Sequence, residues 1–155
     1  MCGIIGYTNN VSNNQSVIEN MLQKISHRGP DDQGYYQDSK ITLGMRRLSI
    51  IDLDSGNQPL FNEDKSLILV FNGEIYNYQV LRAKLISLGH TFTTNSDSEV
   101  IIHGYEEYGN DIVNHLRGMF AFAIYNIHTK ALFIARDIFG IKPLKTRIND
   151  LSSLN

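Results

Sequence analysis

The 155-residue chain holds a single cysteine, Cys2. One thiol excludes an intramolecular disulfide framework and any Cys-x-x-Cys metal knuckle. Lysines and arginines form no cluster and the net charge is −2, so nothing favours a nucleic-acid or anionic membrane partner. Long hydrophobic runs are also missing. The opening CGIIGY is far too short to span a bilayer, and no basic segment precedes an apolar one as in a signal peptide. These absences lead us to expect a cytoplasmic protein, in which the sequons at Asn10 and Asn14 are chance. Histidines are few: His27, His90, His103, His115 and His128. They make no His-Glu-x-x-His pair and no set with the lone cysteine, so no metal site is expected.

What is present suits one globular domain. The chain is 42% apolar and 19% charged, and a domain of this size buries roughly 70% of its unfolded surface. CGIIGY reads as a short buried strand that begins at the thiol. Val17, Ile18, Met21, Leu22 and Ile25 recur at helical spacing. Gly29-Pro30 then breaks that helix within a loop, HRGPDDQG. GYYQD, ITLGMRRLSI, LILVFNG and HTFTT read as strands. Asn77 is placed to cap a helix carrying Leu81, Leu85 and Leu88, and Ser96 with Glu99 to form a capping box for another. GMFAFAIYN and ALFIARD make a hairpin whose first strand is buried on both faces. This order is not a βαβ alternation; it predicts mostly antiparallel sheets covered by segregated helices.

The position of the thiol is the main chemical signal. If Met1 is removed, Cys2 carries both a thiol and a free α-amino group. Thiols titrate at pH ~8.5 and α-amines at ~7.7–8.0, so one residue would hold nucleophile and general base together. Read blandly, Cys2 is a small apolar residue at a frayed end, although the following GII anchors it in a strand and Gly3 leaves room for a ligand. An acyl-transfer site also needs donors for an oxyanion. Asn72-Gly73 reads first as a type I′ turn, and also offers a side-chain amide and a backbone N–H that such a turn could aim. Arg47 reads as a carboxylate clamp or as a solvated strand arginine. Asp97 reads as a partner for an ammonium group or as a first-turn acid that favours the helix dipole. A cation and an anion flanking a thiol suit a zwitterionic amino acid with a cleavable side-chain amide.

MCGIIGY, HRGPDDQG, RRLSIIDLDSGNQPL, VFNGEIYNY, SDSEVIIHGYEEYG and GMFAFAIYN with LFIARDIFGIKPL follow one another in this order. Together they resemble the amino-terminal glutaminase domain of glutamine-hydrolysing asparagine synthetases, class II glutamine amidotransferases of the N-terminal-nucleophile hydrolase type. The resemblance covers residues 1–144 and implies an α+β fold, a four-layer αββα sandwich. It implies that Cys2 is the nucleophile with its own amine as base, and that Asn72 and Gly73 are the oxyanion donors. It implies that Arg47, Leu48, Ser49, Ile50 and Ile51 bind glutamine, with Arg47 on the carboxylate. Asp97, with backbone near Gly73 and Glu74, would hold the α-ammonium, and residues 27–34 would form a lid. The implied reaction passes through a glutamyl thioester and yields glutamate and ammonia, with no metal or organic cofactor.

Some of the chain departs from that pattern. Residues 145–155 read as a divergent tail. No Ser-Gly-Gly-rich phosphate loop is present, so the synthetase domain, with its ATP and Mg²⁺, is expected to be absent, and ammonia to pass to a separate synthetase chain. Two alternatives stand beside the glutaminase: a non-catalytic glutamine-binding or regulatory remnant, and an N-terminal-nucleophile hydrolase of another amide.

Overall fold

The computed structural model describes residues 2–8, 14–48 and 57–147. Two antiparallel sheets form its centre. The first contains β1 (Gly3–Thr8), β2 (Asp32–Gln37) and β3 (Ile41–Arg47) in the order β1-β3-β2. The second contains β4 (Leu60–Phe61), β5 (Leu67–Ile75), β6 (Gly118–Asn126) and β7 (Leu132–Arg136) in that order. Helices α1 (Asn14–Lys24), α2 (Tyr78–Ser87), α3 (Glu99–Tyr108) and the short α4 (Ile112–His115) flank them.

Side-chain alternation assigns the layers. In β5, Ile68 and Val70 meet Ile41, Leu43 and Met45 of β3, forming the core between the sheets. The intervening Leu67, Leu69 and Phe71 pack on the other face with Leu81 and Leu85 of α2 and Val100 to Ile102 of α3. That double burial explains the unbroken apolar run in β5. On the far side, Ile18 and Leu22 of α1 are fully buried over Gly44, where a Cβ would come within 2.9 Å of Ile18. The layers are therefore α1, first sheet, second sheet, and α2 with α3: the expected αββα sandwich.

The same period of two sets up the site. Arg47 continues the inward face of β3 after Ile41, Leu43 and Met45. Asn72 continues the inward face of β5 after Ile68 and Val70. Cys2 packs on the same inter-sheet core as Ile4. Three residues distant in sequence thus converge at one end of the sandwich.

Several local expectations give way to tertiary structure. Asn72-Gly73 is not a turn: β5 runs on to Ile75, pairing Asn72 with Ala121 and Gly73 with Phe120. A nine-residue apolar partner, β6, outweighs the local preference of Asn-Gly for a turn. Residues 90–94 are not a strand; Glu99 accepts hydrogen bonds from the backbone and hydroxyl groups of Thr93 and Thr94 instead. Glu99 is therefore unavailable for a capping box, and Ser96 Oγ bonds Ser98 Oγ at 2.6 Å. Asn77 precedes α2 but its side chain makes no cap; it bridges the His115 carbonyl and the Arg117 N–H. Of residues 27–34, the last three belong to β2, and Asp31 is tied to the Arg47 carbonyl at 3.1 Å. Residues 27 and 28 belong to a short 3-10 turn, so only Gly29 to Asp31 of the expected lid are irregular.

Candidate active site

A pocket of about 100 Å³ opens at the end of the sandwich where the inward faces converge. Its lining includes Cys2, Arg47, Leu48, Asn72, Gly73, Glu74 and Asp97. Every sequence-derived site residue within the described part of the chain is therefore in one place. Met1, Ser49, Ile50 and Ile51 lie outside the described residues.

Cys2 is half-buried just before β1. Its sulfur receives the Leu48 N–H at 3.4 Å, and the thiol lies 3.7 Å from the Leu48 carbonyl oxygen. Arg28 donates to the Cys2 carbonyl at 3.5 Å. The space above Gly3 is not open to a ligand, contrary to expectation: a Cβ there would lie 3.0 Å from Ile25 and 3.2 Å from Arg28. Gly3 instead lets the short 3-10 turn Ser26–Arg28 sit against the start of the chain. A second hollow, which Asn72 also borders, is lined in part by His27 and Arg28.

Arg47 is buried, and its Nη1 donates to Asn57 Oδ1 at 2.7 Å. It is not the solvated strand arginine that its sequence context also allowed. Asp97 is only 6% exposed and its Oδ2 accepts the Ile75 N–H at 2.7 Å. Burial raises the Asp97 carboxyl above its ordinary value, with the Glu74 charge adding to the effect and the Ile75 bond opposing it. A carboxylate in that state gains from a cation brought beside it.

The edge of β5 supplies a further donor. Backbone N–H groups alternate sides along a strand. Phe71 N–H leaves β6 to reach Gln58 Oε1 at 2.6 Å, and Ile75 N–H leaves it to reach Asp97. Gly73, midway between them, presents its N–H on that same edge, where the pocket opens. A side chain at Gly73 is excluded because a Cβ would overlap the Met119 carbonyl. The pocket thus combines a thiol, an asparagine amide, an edge N–H, a cation and an anion.

Lys142 also lines the pocket and is 2% exposed; sequence reasoning assigned it no role. Asp137 holds it there, accepting N–H groups from Phe120 at 3.2 Å, Ile141 at 2.9 Å and Lys142 at 3.0 Å. The visible signal was a lysine within an otherwise apolar run, FGIKPL.

The family model described as "Glutamine amidotransferase domain" matches residues 1–152. The chain belongs to the glutamine amidotransferase domain family. Among relatives of this amidotransferase domain, asparagine synthetase [glutamine-hydrolyzing] 1 of Bacillus subtilis (strain 168) is 48% identical over 97% of this chain and 25% of its own length. Asparagine synthetase [glutamine-hydrolyzing] 2 of Arabidopsis thaliana is 46% identical over 93% of this chain and 25% of its own. The chain therefore spans about a quarter of the length of these relatives. Among solved structures, glutamine phosphoribosylpyrophosphate amidotransferase from B. subtilis superimposes with a TM-score of 0.53 at 26% identity, covering 64% of this chain and 24% of that one. A structure titled as the allosteric regulatory enzyme of purine biosynthesis gives 0.56 at 27% identity, over 68% and 25%. These neighbours agree with the α+β sandwich of this amidotransferase domain. No helix among the described residues is long and apolar enough to cross a membrane.

Proposed function

We propose that the chain hydrolyses L-glutamine to glutamate and ammonia, with Cys2 as nucleophile once Met1 has been removed. The observation that carries this reading is the convergence of the only thiol with Arg47, Asn72, Gly73 and Asp97 in one pocket. The α-amine takes the thiol proton and the thiolate attacks the side-chain carboxamide carbon. Asn72 Nδ2 and the Gly73 N–H receive the resulting oxyanion. The ammonium returns its proton to the leaving nitrogen, ammonia departs and a glutamyl thioester remains. Water, deprotonated by the same amine, cleaves the thioester to glutamate and restores the thiol. Arg47 holds the substrate carboxylate, and Asp97 its ammonium.

The intact pocket supports an active amidase over a decayed remnant, and the Arg47–Asp97 charge pair supports an amino-acid amide over other amides. Ammonia made here serves a synthetase-type body that would consume it with ATP and Mg²⁺ to make asparagine, on the same polypeptide or a separate one. Ile138 and Phe139, 93% and 85% exposed, and the adjacent Ile141 offer that body an apolar seat beside Lys142. The setting proposed is the cytoplasm.

The test is direct. Protein with Cys2 verified by mass as its first residue is given L-glutamine, and glutamate and ammonia are followed. Equal amounts of both are expected, and none from Cys2→Ala. Absence of product from protein with a verified Cys2 terminus would sink the proposal, as would undiminished turnover in Cys2→Ala.

A further inference from the structure

Far along the chain from the thiol, three segments meet around two imidazoles. Glu63 comes from the turn after β4, His90 from the connection after α2, and His103 and Glu106 from α3. One ligand atom from each of the four lies within 4.8 Å of every other. His103 Nδ1 is 2.9 Å from Glu106 Oε2 and 3.5 Å from Glu63 Oε2. His90 Nδ1 is 3.5 Å from the same Glu106 oxygen and 3.9 Å from Glu63 Oε1. Ligands at ~2.0–2.1 Å from a tetrahedral ion stand roughly 3.3 Å apart, so these separations bracket the edge of such a site.

The outward nitrogens are arranged to match. His90 Nε2 sits 2.8 Å from Glu107 Oε1. His103 is 1% exposed, and its Nε2 has no hydrogen-bond partner. The facing acceptor, Glu99 Oε1, stands 3.6 Å away and is already occupied by Thr93. In His90 a carboxylate thus addresses Nε2, which favours the proton there and leaves Nδ1 facing the cluster; in His103, Nδ1 donates to Glu106 Oε2 in the absence of an ion and would give up that proton to bind one. Glu106 is fixed similarly: the buried Asn62 donates to its Oε1 at 2.8 Å and leaves Oε2 facing the histidines. The Thr91 N–H fixes Glu63 at 3.0 Å.

We propose that Glu63, His90, His103 and Glu106 form a binding site for one divalent transition-metal ion, zinc being the best match to two imidazoles and two carboxylates. Nothing in the residue pattern announces it, because the ligands are dispersed along the chain and only His103 and Glu106 share a helix. Glu63 and Glu106 lie open to solvent and provide the ion's way in. Bound there, the ion ties the β4–β5 turn and the α2–α3 connection to α3. It has no role in the hydrolysis, so the glutaminase reading and this one stand or fall separately.

The test is zinc titration of chelator-stripped protein by calorimetry, with thermal unfolding alongside. A terminal cysteine is itself a zinc chelator, so the decisive protein is Cys2→Ala. One zinc per chain is expected in that background, with a melting temperature that rises with zinc concentration. His90→Gln and Glu106→Gln should each weaken binding at least 100-fold, and Glu107→Gln about 10- to 100-fold. Circular dichroism establishes that each variant is folded; Glu106→Gln, on the solvent side, serves if His90→Gln is not. Cobalt(II) should give the intense visible bands of a tetrahedral site in Cys2→Ala and lose them in His90→Gln. Absence of zinc binding in Cys2→Ala, or binding unchanged by His90→Gln and Glu106→Gln, would overturn the site and leave a metal-free cluster of hydrogen-bonded histidines and glutamates.

Discussion

Leu48 donates its backbone N–H to the sulfur of Cys2 at 3.4 Å. A donor aimed at sulfur fixes where the side chain points. Leu48 directly follows Arg47, so the end of β3 brings both this donor and the buried guanidinium to the pocket. Strand register between β1 and β3, with Gly3 opposite Arg46, thereby sets the distance between the attacking atom and the group assigned to the substrate carboxylate.

Asn72→Ala removes one of the two donors assigned to the oxyanion. We expect kcat to fall roughly 100- to 1000-fold with KM changed much less, because the lost bond forms mainly in the transition state. Steady-state kinetics with glutamine separates the two parameters. A pure rise in KM would move Asn72 from the oxyanion to ground-state binding.

Asp97→Asn keeps an oxygen for the Ile75 N–H while removing the charge. Loss of a buried ion-pair partner for the substrate should raise KM about 30-fold or more, equivalent to ~2 kcal/mol. A carboxyl raised by burial ionises at a cost to the folded state. That cost is absent below its unfolded value, ~3.9, and complete above the raised folded value. Asp97→Asn should therefore melt at or above the parent temperature at pH 7, the difference closing in acid. The parent's kcat/KM should decline as pH falls through the raised value, and the Asp97→Asn variant should lack that limb.

Gly73→Ala and Gly118→Ala probe the β5–β6 ladder. The added methyl would overlap the Met119 carbonyl in the first case and the Glu74 carbonyl in the second. Backbone cannot yield as a side-chain tip can, so each should cost about 2 kcal/mol or more, a fall of roughly 4–8 °C in melting temperature. Unchanged melting would mean the strands part without cost.

Asp38 tests a carboxyl shifted the other way. Burial opposes the shift, yet donors from Lys40, Ile41, Tyr125 and Lys130 pull it down to about 2. Its stabilising contribution is present above the unfolded value of ~3.9 and is lost as pH falls through about 2. Asp38→Asn should lower the urea midpoint at pH 7, and the gap to the parent should narrow steadily below pH ~4. A gap that persists undiminished in acid would assign the effect to hydrogen-bond geometry rather than charge.

The layers and the pocket were legible because both rest on short periods in the chain. Strand-like runs lead up to Arg47 and Asn72, and helical spacing announces Ile18 and Leu22. Motifs in order then supplied the identity of the pocket residues, which spacing alone left open. What stayed hidden required partners distant in sequence. Asn72-Gly73 reads as a turn until β6 is laid beside it. Ser96 and Glu99 read as a capping box until Thr93 and Thr94 occupy the glutamate. His90 and His103 look unrelated until α2 and α3 pack, and the apolar run around Lys142 hints at burial without saying where, until Asp137 folds its loop inward.

That loop has a mechanical corollary. The carboxylate of Asp137 grips both the stretch that turns Ile138 and Phe139 outward and the backbone of Lys142, which turns inward. The outward tip and the inward lysine thus share one anchor, and a shift of the tip that loosened Asp137 would also free the backbone that seats Lys142 in the pocket wall.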